Sequence, residues 1–431
     1  MPVREIGIGL LGLGTIAGQT AQVIQERGPA LAARTGIIPV LRRVKVLPAD
    51  LDRPQAQAMD RAIITTDDDD FWATPGIDIV VELIGGEHPA LEYQEKALRA
   101  GKHVVTANKE VIAKHGVDLL RLAGEGGLHL RYEAAVGGGM PLIAPFQRDL
   151  AANRVSGIYA VINGTTNYIL SRMTLDGVDF AEALAQAQKL GYAEANPKND
   201  IEGVDAAYKL AIMATLAFRS EVRPEQIFCE GISRLTARDF RYARELGYAI
   251  KLLAVAKCSE AGIEARVHPA FVPGDSFLAQ INGVFNAVLV EGDLTGQVTF
   301  SGQGAGPLPT SSAVVADILA IGHDMTVGAV PAFFEQDIRA VIPMAEVVTR
   351  YYIRLSAADQ PGILAQIART FGDHNISIAS AIQKQADAHA QVAEIVIVTH
   401  PAREQETERA LGELQGLPGV RAVGNFVRIE D

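Results

Sequence analysis

The chain has 431 residues, of which 48% are apolar and 21% charged. At roughly 150 residues per domain this is a globular protein of about three domains, not a disordered or single-module chain. Thirty-nine Lys and Arg against 51 Asp and Glu leave a net charge of −12, which repels polyanions and acidic bilayers and excludes nucleic acid and membrane as default partners. The two cysteines, Cys229 and Cys258, form neither a disulfide framework nor a zinc spacing and read as small buried residues in a reducing, cytoplasmic setting. The first residues show no signal pattern, and no run reaches the roughly 20 apolar residues of a membrane span. The mean hydropathy of +0.14 therefore points to buried sheets and helices.

Residues 1–131 alternate strand-like runs (Ile6 to Leu11, Arg43 to Leu47, Ile77 to Leu83, His103 to Thr106) with helical stretches such as Ala90 to Ala100. That alternation predicts βαβ units and a doubly wound parallel sheet, an α/β fold. The segment from Arg27 to Arg42 reads as a lengthened first crossover. Residues 132–304 mix strands (Ser156 to Ile162, Lys251 to Lys257, Glu264 to Pro269, Ala287 to Val290) with helices (Phe180 to Leu190, Ala206 to Phe218, Ala237 to Glu245), which predicts α+β with an antiparallel sheet. A glycine-rich turn, Ser301 to Gly306, leads into a helix from Thr310 to Gly322, and residues of about 305–325 are expected to return and complete the first domain. Residues 326–349 read as a linker. Beyond it, Val348 to Ser356, Ile363 to Phe371, Ile376 to Gln383, Glu394 to Thr399, Glu404 to Gln415 and Val420 to Ile429 give strand, helix, strand, strand, helix, strand. That order over 350–431 is a ferredoxin-like βαββαβ unit.

Gly12-Leu13-Gly14-Thr15-Ile16-Ala17 follows the first strand and opens a helix, which is the setting a dinucleotide fingerprint requires. Gly12 permits the turn, and Gly14 lets the backbone approach a pyrophosphate on the helix N-terminus. Arg43 and Lys45 near the second strand favour a 2′-phosphate, whereas Asp50 and Asp52 after it favour a free ribose, so NAD and NADP both stay open. Thr106-Ala107-Asn108-Lys109 ends a strand at the carboxyl edge of the sheet. Lys109 there either faces a nicotinamide or is a surface lysine before the next helix. In the stretch Gly191 to Lys209, a helix starting near Gly203 puts Asp205 and Lys209 one turn apart on one face, with Glu194 and Asp200 in the loop before it. Such a set offers carboxylates for a cationic amine and a lysine proton donor for a developing alkoxide, or alternatively a solvated ion pair.

Together, GLGTIA, TANK, YEAAVGGGMP, the stretch ending in Asp205 and Lys209, NGVFNAVLVEGD and GQGAG resemble the homoserine dehydrogenases over residues 5 to about 322. The remainder, with Asp359-Gln360-Pro361-Gly362 before a helix, resembles an ACT domain. The resemblance implies a Rossmann-type domain, a catalytic and dimerisation domain and a regulatory domain. It also implies interconversion of L-aspartate 4-semialdehyde and L-homoserine with NADP or NAD, on the route to threonine, methionine and isoleucine. Carried over residue by residue, Lys209 is the proton donor and acceptor, Lys109 stands beside the nicotinamide, and Glu194, Asp200 and Asp205 hold the substrate amine and water. Gly12, Leu13, Gly14, Thr15, Ile16, Gly191 and Gly304 contact cofactor. The carbonyls of Glu133, Val136, Gly138 and Met140 bind a sodium ion. Threonine is the implied effector, and the implied assembly is a homodimer or homotetramer. The chain departs from the family at Ala17 for the third glycine, at Leu47-Pro48-Ala49-Asp50 where relatives carry an arginine, and at Asn199-Asp200 where some carry an acidic doublet.

Two other readings stand beside this one. A non-catalytic nucleotide and amino-acid sensor has no need of two lysines at a nicotinamide, and a different amino-acid dehydrogenase fits the Gly191 to Lys209 stretch poorly. Thr65 to Asp70 reads as a solvated helix cap rather than a calcium loop. The histidines show no transition-metal spacing, and Trp72 reads as packing.

Overall fold

Short apolar runs bounded by glycine or charge alternate with amphipathic stretches at the start of the chain, and each run becomes a buried strand. The computed structural model describes residues 3–331, 337–387 and 392–430. Its first elements are β1 (Arg4–Leu11), α1 (Thr15–Thr35), β2 (Ile37–Lys45), α2 (Pro54–Gln57), β3 (Ile64–Thr65), α3 (Asp68–Ala73), β4 (Ile79–Glu82), α4 (Ala90–Arg99), β5 (His103–Thr106), α5 (Lys109–Glu125) and β6 (Leu130–Arg131). The strands form one parallel sheet in the order β3-β2-β1-β4-β5-β6. Strand order reverses between β1 and β4, the crevice where such sheets bind ligands.

The chain continues as β7 (Val155–Val161), α6 (Gly164–Asp176), α7 (Phe180–Lys189), α8 (Lys198–Ile201), α9 (Val204–Phe218), β8 (Phe228–Cys229), α10 (Ala237–Glu245), β9 (Tyr248–Ser259), β10 (Gly262–Pro273), β11 (Phe285–Gly292) and β12 (Gly296–Gln303). Then come α11 (Pro307–Val327), β13 (Val348–Ala358), α12 (Ile363–Asp373), β14 (Ile378–Asp387), β15 (Val392–Thr399), β16 (Ala402–Arg403), α13 (Glu404–Gln415) and β17 (Val420–Ile429). The fold class is the one read from the sequence: a parallel doubly wound sheet, an α+β part and a βαββαβ unit. Part of the 326–349 stretch lies outside the described residues.

Two compact units result, Met1–Val155 with Tyr208–Pro224 and Gly292–Ile338, and Ser156–Ala207 with Glu225–Glu291 and Arg339–Asp431. In the first, Val314, Ile318 and Ile321 of α11 share a core with Ile6, Ile8, Leu10, Ala17 and Ala21 of β1 and α1. The second holds a sheet running β11-β7-β9-β10-β17-β13-β15-β14. Its central join is parallel, with Ala270 opposite Arg428 and Phe271 opposite Ile429. The last strand of the βαββαβ unit thus lies between β10 and β13, and one sheet runs through both. Phe271 stacks on Tyr352 across this seam, with centroids 4.5 Å apart.

Three local expectations change. The second strand begins at Ile37 rather than Arg43, because α1 continues through Pro29 to a left-handed cap at Gly36. The strand includes Pro39, and β3 pairs only with Val44 and Lys45, so at Pro39 β2 is an edge, where proline is tolerated. Ser301 to Gln303 is strand rather than turn. Cys229 is exposed rather than buried, and its thiol donates to the Glu202 carbonyl at 3.2 Å.

Candidate functional site

The first unit presents a bare helix N-terminus at its switch point. The 21-residue α1 is capped by Gly14 with no side-chain hydrogen bond and carries no acidic residue in its first turn, which leaves its N–H groups and dipole to an anionic group. Gly12 has φ +92°, and a Cβ there would press on the Leu83 carbonyl at 3.3 Å, whereas nothing lies within 4 Å of one built on Gly14. The residues therefore fit a dinucleotide pyrophosphate. Leu13 is buried, Ile16 half-buried and Thr15 exposed. At the end of β2, the charges that bear on the ribose are paired. Lys45 meets Asp68 at 2.6 Å, Arg43 meets Asp70 at 3.0 Å and Asp50 meets Arg53 at 2.7 Å. Asp67 caps α3 through the Asp70 N–H, so the acidic run is a helix cap as read from the sequence.

Lys109 is placed by a buried network that sequence reasoning did not find. Glu82, at the carboxyl end of β4, accepts from the Ile84 N–H at 2.5 Å, the Gln94 amide at 2.7 Å and the Thr106 hydroxyl at 2.7 Å. Burial raises its pKa despite those donors. Thr106 Oγ1 in turn accepts from the Asn108 N–H at 3.0 Å, and Asn108 caps α5 through Val111 while its amide donates to the Ile84 and Gly86 carbonyls. Lys109 is thus the first residue of a helix whose start is fixed from three sides. Tyr208 of α9 reaches Glu110 at 3.4 Å, and the Lys114 ammonium lies 5.7 Å from the Tyr208 ring centre. Lys209, next to Tyr208 and buried, is in this way brought to the same end of the unit as Lys109.

The loop after β6 is folded onto the start of α11. Glu133 is buried, and its carboxylate accepts from the N–H groups of Leu142 at 2.6 Å and of Ile143 and Ala144 at 2.8 Å. Its own N–H donates to Asp317 at 2.8 Å. Burial pushes the Asp317 carboxyl up to about 7. Gly138 has φ +53°, and a Cβ on it would strike the Gly304 carbonyl at 2.7 Å, so Gly138 and Gly304 meet directly. Val136 and Met140 of the same loop are buried. Four main-chain oxygens of this loop are hard donors of the kind a sodium ion takes rather than a transition metal. No side-chain metal cluster occurs among the described residues.

In the second unit, Asn163 caps α6 and gathers two carboxylates. Its Nδ2 donates to Asp200 Oδ1 at 2.7 Å and to Asp205 Oδ2 at 2.8 Å, while its Oδ1 accepts from the Thr166 N–H at 2.9 Å. Thr165 Oγ1 donates to the Tyr192 carbonyl at 2.7 Å, and Tyr168 packs on Tyr192 at 5.0 Å. The stretch from Gly191 to Glu194 is therefore tied to the same turn. Glu194 itself is exposed and is not among the partners of Asn163. Asp205 is buried on the first turn of α9, one turn before Lys209. The signal for Asn163 was present as an N-cap residue before Gly-Thr-Thr, but capping alone does not announce a second role.

A doubly wound parallel sheet with an uncapped glycine-rich helix start, joined to an α+β unit, defines a dinucleotide-binding protein with a built polar site. Residues 12–133 match the family model "Homoserine dehydrogenase, NAD binding domain", 141–319 match "Homoserine dehydrogenase" and 351–419 match "ACT domain". The chain is 42% identical to the homoserine dehydrogenase of Synechocystis, over 98% of this chain and 99% of that protein. It is 41% identical to that of Pseudomonas aeruginosa, over 99% of each. A solved homoserine dehydrogenase from Thiobacillus denitrificans superposes with a TM-score of 0.93 at 41% identity, covering 100% of this chain and 99% of that one. The chain belongs to the homoserine dehydrogenase family. No helix among the described residues is long and apolar enough to cross a membrane.

Proposed function

We propose that this chain interconverts L-aspartate 4-semialdehyde and L-homoserine with NADH or NADPH, in the cytoplasm. The observation that carries the reading is the placement of Lys209, buried on α9 one turn after Asp205, with its neighbour Tyr208 at the α5 start that holds Lys109. When bound, the reduced nicotinamide supplies the hydride to the aldehyde carbon. Lys209 meets the negative charge that grows on the aldehyde oxygen and delivers its proton there, a stabilisation aimed at the transition state. Asp205, one turn earlier, keeps Lys209 oriented, and Asp200, Asp205 and Glu194 receive the substrate ammonium. Gly12, Leu13, Gly14, Thr15 and Ile16 would seat the pyrophosphate on α1, Lys109 would flank the nicotinamide, and Gly191 and Gly304 would contact the cofactor. The carbonyls of Glu133, Val136, Gly138 and Met140 would hold a sodium ion that fixes the loop against Gly304.

The βαββαβ unit is read as a site for threonine, acting as feedback inhibitor, and the assembly as a homodimer or homotetramer. Both rest on family resemblance, and the Asp359 to Gly362 turn before α12 supports the first, with Gly362 at φ +88°. The experiment follows NADH and NADPH oxidation separately with the semialdehyde, with and without threonine, and light scattering gives the assembly. Lys209→Met should lower turnover by about 10²- to 10⁴-fold, the range of general acid catalysis, with cofactor affinity unchanged. Near-normal turnover in that variant removes Lys209 from the mechanism, and no oxidation with either cofactor by the native chain ends the reading.

A further inference from the structure

We infer that Asn163 is a positioning residue that sets the preference for substrates bearing an α-ammonium group, by locking Asp200 and Asp205 into one anionic receptor. This rests on the proposed assignment of those carboxylates to the substrate amine and adds a residue to it. The amide is fully committed. A backbone N–H can only donate, so the Thr166 N–H at 2.9 Å, with the Thr166 hydroxyl at 3.0 Å, fixes Oδ1 on the helix side. Nδ2 then necessarily faces the two carboxylates, at 2.7 and 2.8 Å, and its two protons serve one carboxylate each.

Two adjacent carboxylates repel, and without help one of them takes up a proton. An amide donating to both favours the charged form of each and holds the two side by side. The amide also sets their spacing. Asp200 comes from the short α8 and Asp205 from the start of α9, and the Asn163 amide bonds to each of them.

The turn that carries Asn163 is itself built to stay in place. One helical turn on, Asn167 donates to the Phe285 carbonyl at 2.9 Å and accepts from the buried Lys251 ammonium at 3.3 Å. Lys251 also donates to the Ile281 carbonyl at 2.5 Å and to Asn282 at 3.1 Å. Burial lowers its pKa to about 8. The NGVF segment of the sequence thus anchors the α6 turn from below, while Thr165 and Asn163 hold the two substrate-side loops above it. A rigid support of this kind is what precise placement of charged groups needs.

The test compares substrates with and without the α-amino group. For Asn163→Ala and Asn163→Ser, kcat/KM is measured with L-aspartate 4-semialdehyde, and binding of 4-hydroxybutanoate, the deamino analogue of homoserine, is measured by calorimetry on cofactor-saturated enzyme. Asn163→Ala should lower kcat/KM for the amino aldehyde roughly 10- to 100-fold, mainly through KM, the span of a hydrogen bond to a charged group. Asn163→Ser, which keeps a single donor, should fall between Ala and native. Affinity for 4-hydroxybutanoate should stay within about twofold. Equal losses on both compounds mean a merely structural turn and overturn the inference, as does an unchanged kcat/KM. If Asn163→Ala does not fold, Asn163→Ser carries the comparison alone, with the same two outcomes. Native enzyme inactive on the semialdehyde would instead overturn the underlying assignment.

Discussion

Glu430 lies one residue beyond β17, and its carboxylate bonds Arg266 Nη2 at 2.5 Å and Lys257 Nζ at 3.0 Å. Both Arg266 and Glu430 are almost completely buried. Burial by itself raises the Glu430 pKa, but the Arg266 and Lys257 cations prevail and bring it from 4.5 to about 2. That depression corresponds to about 3 kcal/mol of stability at neutral pH. Because the folded value lies below the unfolded one, the contribution is complete above the unfolded pKa near 4.5 and disappears as pH falls through the folded pKa near 2. Glu430→Gln keeps the shape and removes the charge, leaving Arg266 with Glu264 as its remaining carboxylate partner. Unfolding in urea, followed by far-UV circular dichroism, should show the variant less stable by about 2–3 kcal/mol at pH 7 and by roughly half of that or less at pH 3. Combining it with Arg266→Met should cost less than the two single changes added. A gap below about 1 kcal/mol at pH 7, or one that does not change with pH, would refute the assignment of Glu430 as an ionised peg in the seam.

The same loop chemistry gives two further expectations in the first unit. Glu133→Ala exposes the N–H groups of Leu142, Ile143 and Ala144 to a site with no acceptor, so thermal unfolding should show a loss of about 3 kcal/mol or more. A loss under about 1 kcal/mol would mean that water replaces the carboxylate without cost. Asp317, with its carboxyl near 7 through burial, binds its proton more tightly when folded, so its own contribution to stability is full below about pH 4 and is lost as pH rises through about 7. Asp317→Asn keeps an acceptor for the Glu133 N–H and should flatten that decline, gaining up to about 4 kcal/mol on the native protein by pH 8. Parallel pH profiles for the two would show that Asp317 is ionised throughout.

What the sequence disclosed, and what it hid, follows sequence separation. The helix start at Gly12 and Gly14, the turn carrying Lys109 and the one-turn spacing of Asp205 and Lys209 are local patterns, fixed by backbone geometry over a few residues. Glu404 to Gln415 and Val420 to Ile429 were read to the residue because their periodicities are regular and their ends marked by proline, glycine or charge. Patterning places the start of β2 too late, at Arg43, and its first residues carry a proline at Pro39, which a strand tolerates only where it has one neighbour, as β2 does there. That is a fact of sheet order, which no window of residues contains.

Buried polar partnerships lie further out of reach. Asn163 finds its carboxylates 37 and 42 positions away, and Glu430 finds Arg266 at a separation of 164. Each side chain alone reads as an ordinary cap or an ordinary terminal charge. The seam shows why this matters for function. Arg428 of β17 bonds Glu230 at 2.6 Å and also pairs with Glu404. The Glu230 N–H donates to Val267, and two residues on, the Ile232 N–H donates to the Ile201 carbonyl at 2.9 Å, at the end of the short helix that carries Asp200. A terminal strand that looks in sequence like the edge of a separate module is therefore two hydrogen bonds from the short helix that carries a carboxylate of the candidate site. The sheet is continuous across the boundary that patterning draws before the last βαββαβ unit.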